Sequence, residues 1–66
     1  MVYKLKEIRK ASQMTQEELA EKSGISRGTI VAIENNEQKI VSTKTLLKLA
    51  DALNTTVDAI FFRDGV

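Results

Sequence analysis

One glycine constrains this chain more than any other residue. In TQEELAEKSGISRGTIVAIE (residues 15–34), the residues before Gly24 and those after it both read as helix. Gly24 is followed by Ile25 and then Ser26, a residue type that starts helices rather than continuing them. Glycine adopts positive φ at no steric cost, so a helix over Gln16–Ser23 is predicted to stop at Gly24, and the chain to restart at Ser26 in a new direction. Leu19 and Ala20 are expected to face the partner helix, Ala20 being small enough for close approach. Ile25, Ile30 and Ile33 close the core from the other side.

The start signal recurs along the chain. Thr15 caps the helix that Gly24 ends, Glu18 completes a capping box, and Met14 stands at staple spacing from Leu19. Ser26 is flanked in the same way by Ile25 and Ile30, and Ser42 by Val41 and Leu46. Thr56 is read as the cap of a short last helix running toward Phe61. Leu5 and Ile8 place an apolar stripe on a first helix over about residues 4–12. In TLLKLADAL, Leu46, Leu49, Ala50 and Leu53 share one helical face, and Asn54 falls where a left-handed closing residue is wanted. The prediction is an all-α fold of five short helices, a single domain over residues 1–66, with a longer loop at about 35–41. Residues 1–3 are read either as a short strand pairing with residues after Phe61 or as a frayed tail.

Steep crossing of two helices through a short glycine turn is helix-turn-helix geometry. An ordinary helical hairpin would use the same turn. The joint spacing of Leu19, Ala20, Gly24, Ile25, Ile30 and Ile33 favours the helix-turn-helix, with Ser23 as a departure from the apolar residue usual before the glycine.

Composition excludes several functions. With 66 residues, the chain is near the lower limit for a core that folds unaided. Without Cys or His it has no disulfide, thiolate zinc site or histidine catalysis. Asp51, Asp58 and Asp64 are scattered carboxylates with no partner, Ser23, Ser26 and Ser42 have no base, and three glycines make no phosphate loop. The chain is read as a non-enzyme, with no metal and no cofactor. No window approaches the ~18 apolar residues of a membrane span. MVYKLKEIRK carries charge rather than a leader's apolar run, so a cytoplasmic protein is expected. Leu5 and Ile8 are better used in the core than on a lipid surface. The net charge of +1 is unevenly spread: Lys4, Lys6, Arg9 and Lys10 stand against Glu7 in the first ten residues, whereas Glu17, Glu18 and Glu21 outnumber Lys22 before Gly24. Any anion-binding surface is therefore local.

TQEELAEKSGISRGTIVAIENN resembles the signature of the phage-repressor (Cro/cI, or xenobiotic-response-element) family of helix-turn-helix proteins, and LLKLADALNTTVDAIF is similar to that family's fourth and fifth helices. The resemblance spans about residues 4–61 and implies a compact lambda-repressor-like DNA-binding domain. It implies that the helix begun at Ser26 enters the major groove of double-stranded DNA while the helix before it crosses the backbone. Carried over by position, Gln16 meets a phosphate at a helix N-terminus. Ser26, Arg27, Gly28, Val31 and Ala32 occupy outward positions of the recognition helix, Asn35 and Asn36 hold the next phosphate, and Arg9 with Glu34 forms a structural salt bridge. Arg27 is the candidate for bidentate contact with guanine, and Thr29 for a base, thymine methyl or phosphate. Gly28 has no side chain to read a base, and Val31 and Ala32 offer only apolar contact, so direct readout is sparse and DNA shape matters more. Gln13 stands where many members have Gly. Glu37 replaces a frequent basic residue, with Lys39 and Lys44 as compensation.

Similar short repressors dimerise through the C-terminal end, which assigns Phe61 and Phe62 to a dimer interface, Phe61 packing inside. A palindromic operator needs two recognition helices about one DNA turn, ~34 Å, apart. The function implied is a sequence-specific transcriptional regulator, a repressor acting as a homodimer. The alternative is a protein-interaction module or antitoxin whose helix-turn-helix acts mainly with a partner protein.

Overall fold

The computed structural model describes residues 2–37 and 40–62, the side chains of residues 2, 61 and 62 excepted. Among the described residues the order is β1 (Val2–Tyr3), α1 (Leu5–Ala11), α2 (Gln16–Ser23), α3 (Arg27–Glu34), α4 (Thr43–Ala52), α5 (Val57–Ile60) and β2 (Phe61–Phe62). The five expected helices are present, and each start signal is realised as a hydrogen bond. The Thr15 hydroxyl accepts from the Glu18 N–H at 3.0 Å while the Thr15 N–H donates to the Glu18 carboxylate at 2.9 Å, completing the capping box. Ser26 Oγ accepts from the Thr29 N–H, Ser42 Oγ from the Thr45 N–H and Thr56 Oγ1 from the Ala59 N–H.

The helix ends obey a second rule. After α1, α3 and α4 the chain closes through one left-handed residue: Gln13 at φ 58°, Asn36 at 59° and Asn54 at 54°. At each, two backbone N–H groups fold back onto the last turn: Gln13 and Met14 onto Lys10 and Arg9, Asn36 and Glu37 onto Ile33 and Ala32, Asn54 and Thr55 onto Asp51 and Ala50. This paired bonding satisfies carbonyls that the helix itself leaves open. Asparagine tolerates the left-handed region better than other side chains, and Gln13 adopts it without that advantage.

Gly24 closes α2 at φ 75°, its N–H bonded to the Ala20 carbonyl at 2.9 Å. Ser23, unexpectedly polar, is buried and accepts the Ile25 N–H on its Oγ at 3.1 Å. It thus clips the turn that an apolar residue would only fill. A Cβ added at Gly24 would meet nothing within 4 Å, so the glycine is required by its backbone angle alone. Gly24→Ala is therefore expected to cost about 1–2 kcal/mol with no clash. Gly24→Asn is expected to cost less, because Asn visits this region more readily. Urea midpoints of the two variants check the order.

Leu5, Leu19, Ile30, Ile33, Leu49 and Ile60 are fully buried, joined by Tyr3, Leu46, Ala50 and Leu53. Ile8, Met14, Ala20, Ile25, Val41 and Val57 pack around this cluster. α2 lies against both α3 and α4, α1 meets α3, and α5 joins α4 to β2. The helix-turn-helix is thus held from behind by α4, leaving the outer side of α3 clear.

The C-terminal end departs from the sequence reading. α5 stops at Ile60, and Phe61 belongs to β2 rather than to the helix. β1 and β2 pair antiparallel, Val2 opposite Phe62 and Tyr3 opposite Phe61, and the Lys4 N–H extends the ladder to the Ile60 carbonyl at 2.7 Å. The short terminal strands therefore exist, with Phe61 inside the pairing instead of before it. The expected inward packing of Phe61 concerns a side chain outside the described residues.

Candidate nucleic-acid interface

The arrangement of the first three helices depends on one buried ion pair. Arg9, in the last turn of α1, donates from Nε to Glu34 Oε2 at 2.7 Å and from Nη2 to Glu34 Oε1 at 3.1 Å. Its Nη1 donates to the Met14 carbonyl at 2.8 Å, tying the α1–α2 turn to the same guanidinium. The two side chains are only 10% and 2% exposed. Gln16, at the start of α2, donates its Nε2 to Glu34 Oε1 at 3.1 Å. A single carboxylate at the end of α3 thus gathers α1 and α2. Desolvation opposes the charge on Glu34. Hydrogen bonds from Arg9 and Gln16, with the positive charges of Arg9 and Lys6, outweigh it and hold the carboxyl below its usual range. The hydrogen bond to Glu34 likewise raises Arg9 against the lowering effect of its burial. The salt bridge expected from the sequence is present; the Gln16 and Met14 connections were not legible there, because their acceptors are fixed only by how the helices cross.

The other candidate residues lie around this lock. Ser26, Arg27 and Gly28 are exposed in the first turn of α3, and Thr29 is half-buried. Ser26 Oγ donates to Thr29 Oγ1 at 2.9 Å, so the two hydroxyls already engage each other. Val31 and Ala32 are half-buried, which leaves the first turn as the most open part of the helix. Arg27 shares the rim of a shallow notch with Arg9, Met14, Thr15, Gln16 and Glu17. The α2 N-terminus opens into that notch, a setting that favours an anion, although Glu17 opposes one. Gln16 is therefore at the notch with one amide hydrogen spent on Glu34 and a second available. Asn35 and Asn36 are exposed beyond the end of α3, and exposed Glu37 contributes its backbone N–H to the helix closure. Lys39 lies outside the described residues, and of Phe61 and Phe62 only the backbone pairing is described.

Arg27 is the one long, charged side chain presented by α3, since Glu34 is consumed by the ion pair. The surface can offer a guanidinium fork, a small-residue helical turn and backbone N–H groups, a set suited to a phosphate-lined groove. Among the described residues no cluster of acidic side chains could hold a metal ion, and no helix is long and apolar enough to cross a membrane. One feature escaped the sequence reading: Leu47 is 56% exposed on α4. It sits one position off the buried stripe of Leu46, Leu49 and Ala50, and that offset was the available signal.

Comparison with known proteins agrees with this geometry. The helix-turn-helix family model matches residues 5–60. The control protein C.SmaI of Serratia marcescens is 39% identical over 62 residues, covering 94% of this chain and 73% of that protein. An uncharacterised helix-turn-helix-type transcriptional regulator of Archaeoglobus fulgidus is 39% identical over 61 residues, 92% of this chain and 84% of its own length. One from Methanocaldococcus jannaschii is 41% identical over 61 residues, 92% of this chain and 91% of its own. With a matching model over most of its length, a glycine turn between capped helices and an exposed first turn on α3, this chain belongs to the Cro/cI-type helix-turn-helix family of DNA-binding transcriptional regulators.

Proposed function

We propose that this protein is a cytoplasmic repressor that binds a palindromic operator as a homodimer. α3 enters the major groove, with Arg27 on a guanine and the Ser26–Thr29 turn beside it. Gln16, Asn35, Asn36 and Lys39 meet the flanking phosphates. Val31 and Ala32 give apolar contact, and shape supplies part of the selectivity. The observation that carries this reading is the isolation of Arg27: one exposed cation in the open first turn of a helix locked from behind by Arg9 and Glu34.

Dimerisation draws support from size and surface. The protomer is 32 Å in its longest extent and carries one recognition helix, whereas two half-sites ~34 Å apart need two. Exposed Leu47 borders an open groove with Val57 between α4 and α5, and the β2 strand with Phe61 and Phe62 follows α5 in the chain. A homodimer built through this end would cover both.

Selection of duplexes from a random pool, with Arg27→Ala in parallel, tests the reading. A palindromic motif is expected, with the variant losing about 1–3 kcal/mol of preference at one guanine per half-site. A folded wild-type protein that enriches no duplex at moderate salt would sink the DNA-binding reading. The apolar exposure of Ile40, 85%, and Leu47 would then favour the second reading, an interaction module or antitoxin bound to a partner protein.

A further inference from the structure

We infer that Gly28 is a positioning residue for DNA recognition, its missing side chain letting the first turn of α3 seat against the base edges so that Arg27 reaches its guanine. The inference rests on the reading of α3 as the recognition helix. Of the four positive-φ positions among the described residues, only Gly24 is a glycine. At three helix closures with positive φ, where glycine would relieve backbone strain, the chain has Gln13, Asn36 and Asn54. Gly28 is the reverse case. It lies inside α3, its φ is not positive, and a Cβ added there would meet no atom within 4 Å. Neither backbone conformation nor packing within the protein calls for it.

A glycine within a helix destabilises it relative to alanine, a cost that here brings the isolated fold nothing. What the bare turn does provide is room outside the chain for whatever comes close to it. Gly28 is exposed and follows Arg27 directly, with Ser26 before it and its hydroxyl turned to Thr29. The result is a low, smooth helical surface beside one long cationic fork. A major groove admits a helix with little clearance, and the reach of an arginine to guanine O6 and N7 depends on how deep the backbone sits. A methyl group at residue 28 stands between α3 and the groove floor and lifts the helix.

The consequence is opposite signs for stability and binding. Gly28→Ala is expected to raise the urea midpoint. It is also expected to weaken binding to the selected operator by about tenfold or more and to relax preference at the Arg27 base pair. Gly28→Ser, with a side chain of similar reach, should weaken binding in the same way. A more stable protein that binds less well rules out unfolding as the cause, and relaxed preference at the Arg27 base pair separates positioning from simple steric loss. Binding of Gly28→Ala within about threefold of wild type, or a weakened complex whose base preference is unchanged, overturns the inference while leaving the repressor reading intact. If the folded wild type enriches no duplex, the repressor reading and this inference fall together.

Discussion

Glu34→Ala is expected to leave the protein largely unfolded at 25 °C. Removing one partner of a buried ion pair costs about 3–5 kcal/mol, because the other charge stays buried and unpaired. A single core below about 70–80 residues rarely supplies more than about 3–5 kcal/mol in total, so the loss is comparable with the whole stability of the domain. Here three donors depend on the carboxylate: Nε and Nη2 of Arg9 and the Gln16 amide. Replacing both charges, Arg9→Met with Glu34→Leu, removes the orphan together with its partner and is expected to be more stable than Glu34→Ala. Urea unfolding followed by circular dichroism gives the order; a Glu34→Ala midpoint within error of wild type would contradict it. The ion pair also fixes the direction of pH dependence. The Glu34 carboxyl lies below its ordinary value of 4.5 in the folded state. Its contribution is thus complete above about pH 4.5 and is lost as pH falls through the lower folded-state value. Acid titration of the Arg9→Met, Glu34→Leu double variant should lack this part of the wild-type curve.

Ile33→Ala is expected to cost about 2–5 kcal/mol, again a large part of what the fold holds. Ile33 is fully buried on the inner side of α3, one position from Glu34 and one from half-buried Ala32. The same truncation at Val31, half-buried, should cost less than about 1.5 kcal/mol. Loss of DNA binding in the Ile33 variant would follow unfolding and recover at lower temperature or with added operator, which binds only the folded form. Loss in the Val31 variant would persist in a folded protein. Melting each variant with and without operator duplex separates the two.

Most of the fold was readable because it is written locally. A capping box needs only Thr15 and Glu18, a left-handed closure only Asn54, and the two sides of the glycine turn only the spacing of Leu19, Ile30 and Ile33. What escaped depends on groups far apart in sequence or on elements too short to have a period. Two-residue strands leave no alternation to detect, so Phe61 was assigned to a helix that ends at Ile60. Ser23 looked like an exception until its hydroxyl was found on the Ile25 N–H. Of the site, the supporting ion pair was legible in part. The Arg9–Glu34 pair came from family resemblance, but the Gln16 bond to the same carboxylate requires the crossing of α2 and α3.

The pairing of β1 with β2 has a kinetic side. It brings together residues separated by almost the full described length of the chain, whereas each capped helix and glycine turn closes over a few residues. Long loops are slow to close, and their entropy must be lost before the contact returns anything. The terminal ribbon is therefore expected to form after the helix-turn-helix has docked on α4. As a two-stranded ladder with little backbone bonding of its own, it is also expected to open first from the native state. Tyr3 and Ile60, buried where the ribbon joins the core, make that opening something the core feels. The ribbon is expected to act as a latch, its seam between residues 2–3 and 61–62 closing beside α5 after the helix-turn-helix is assembled.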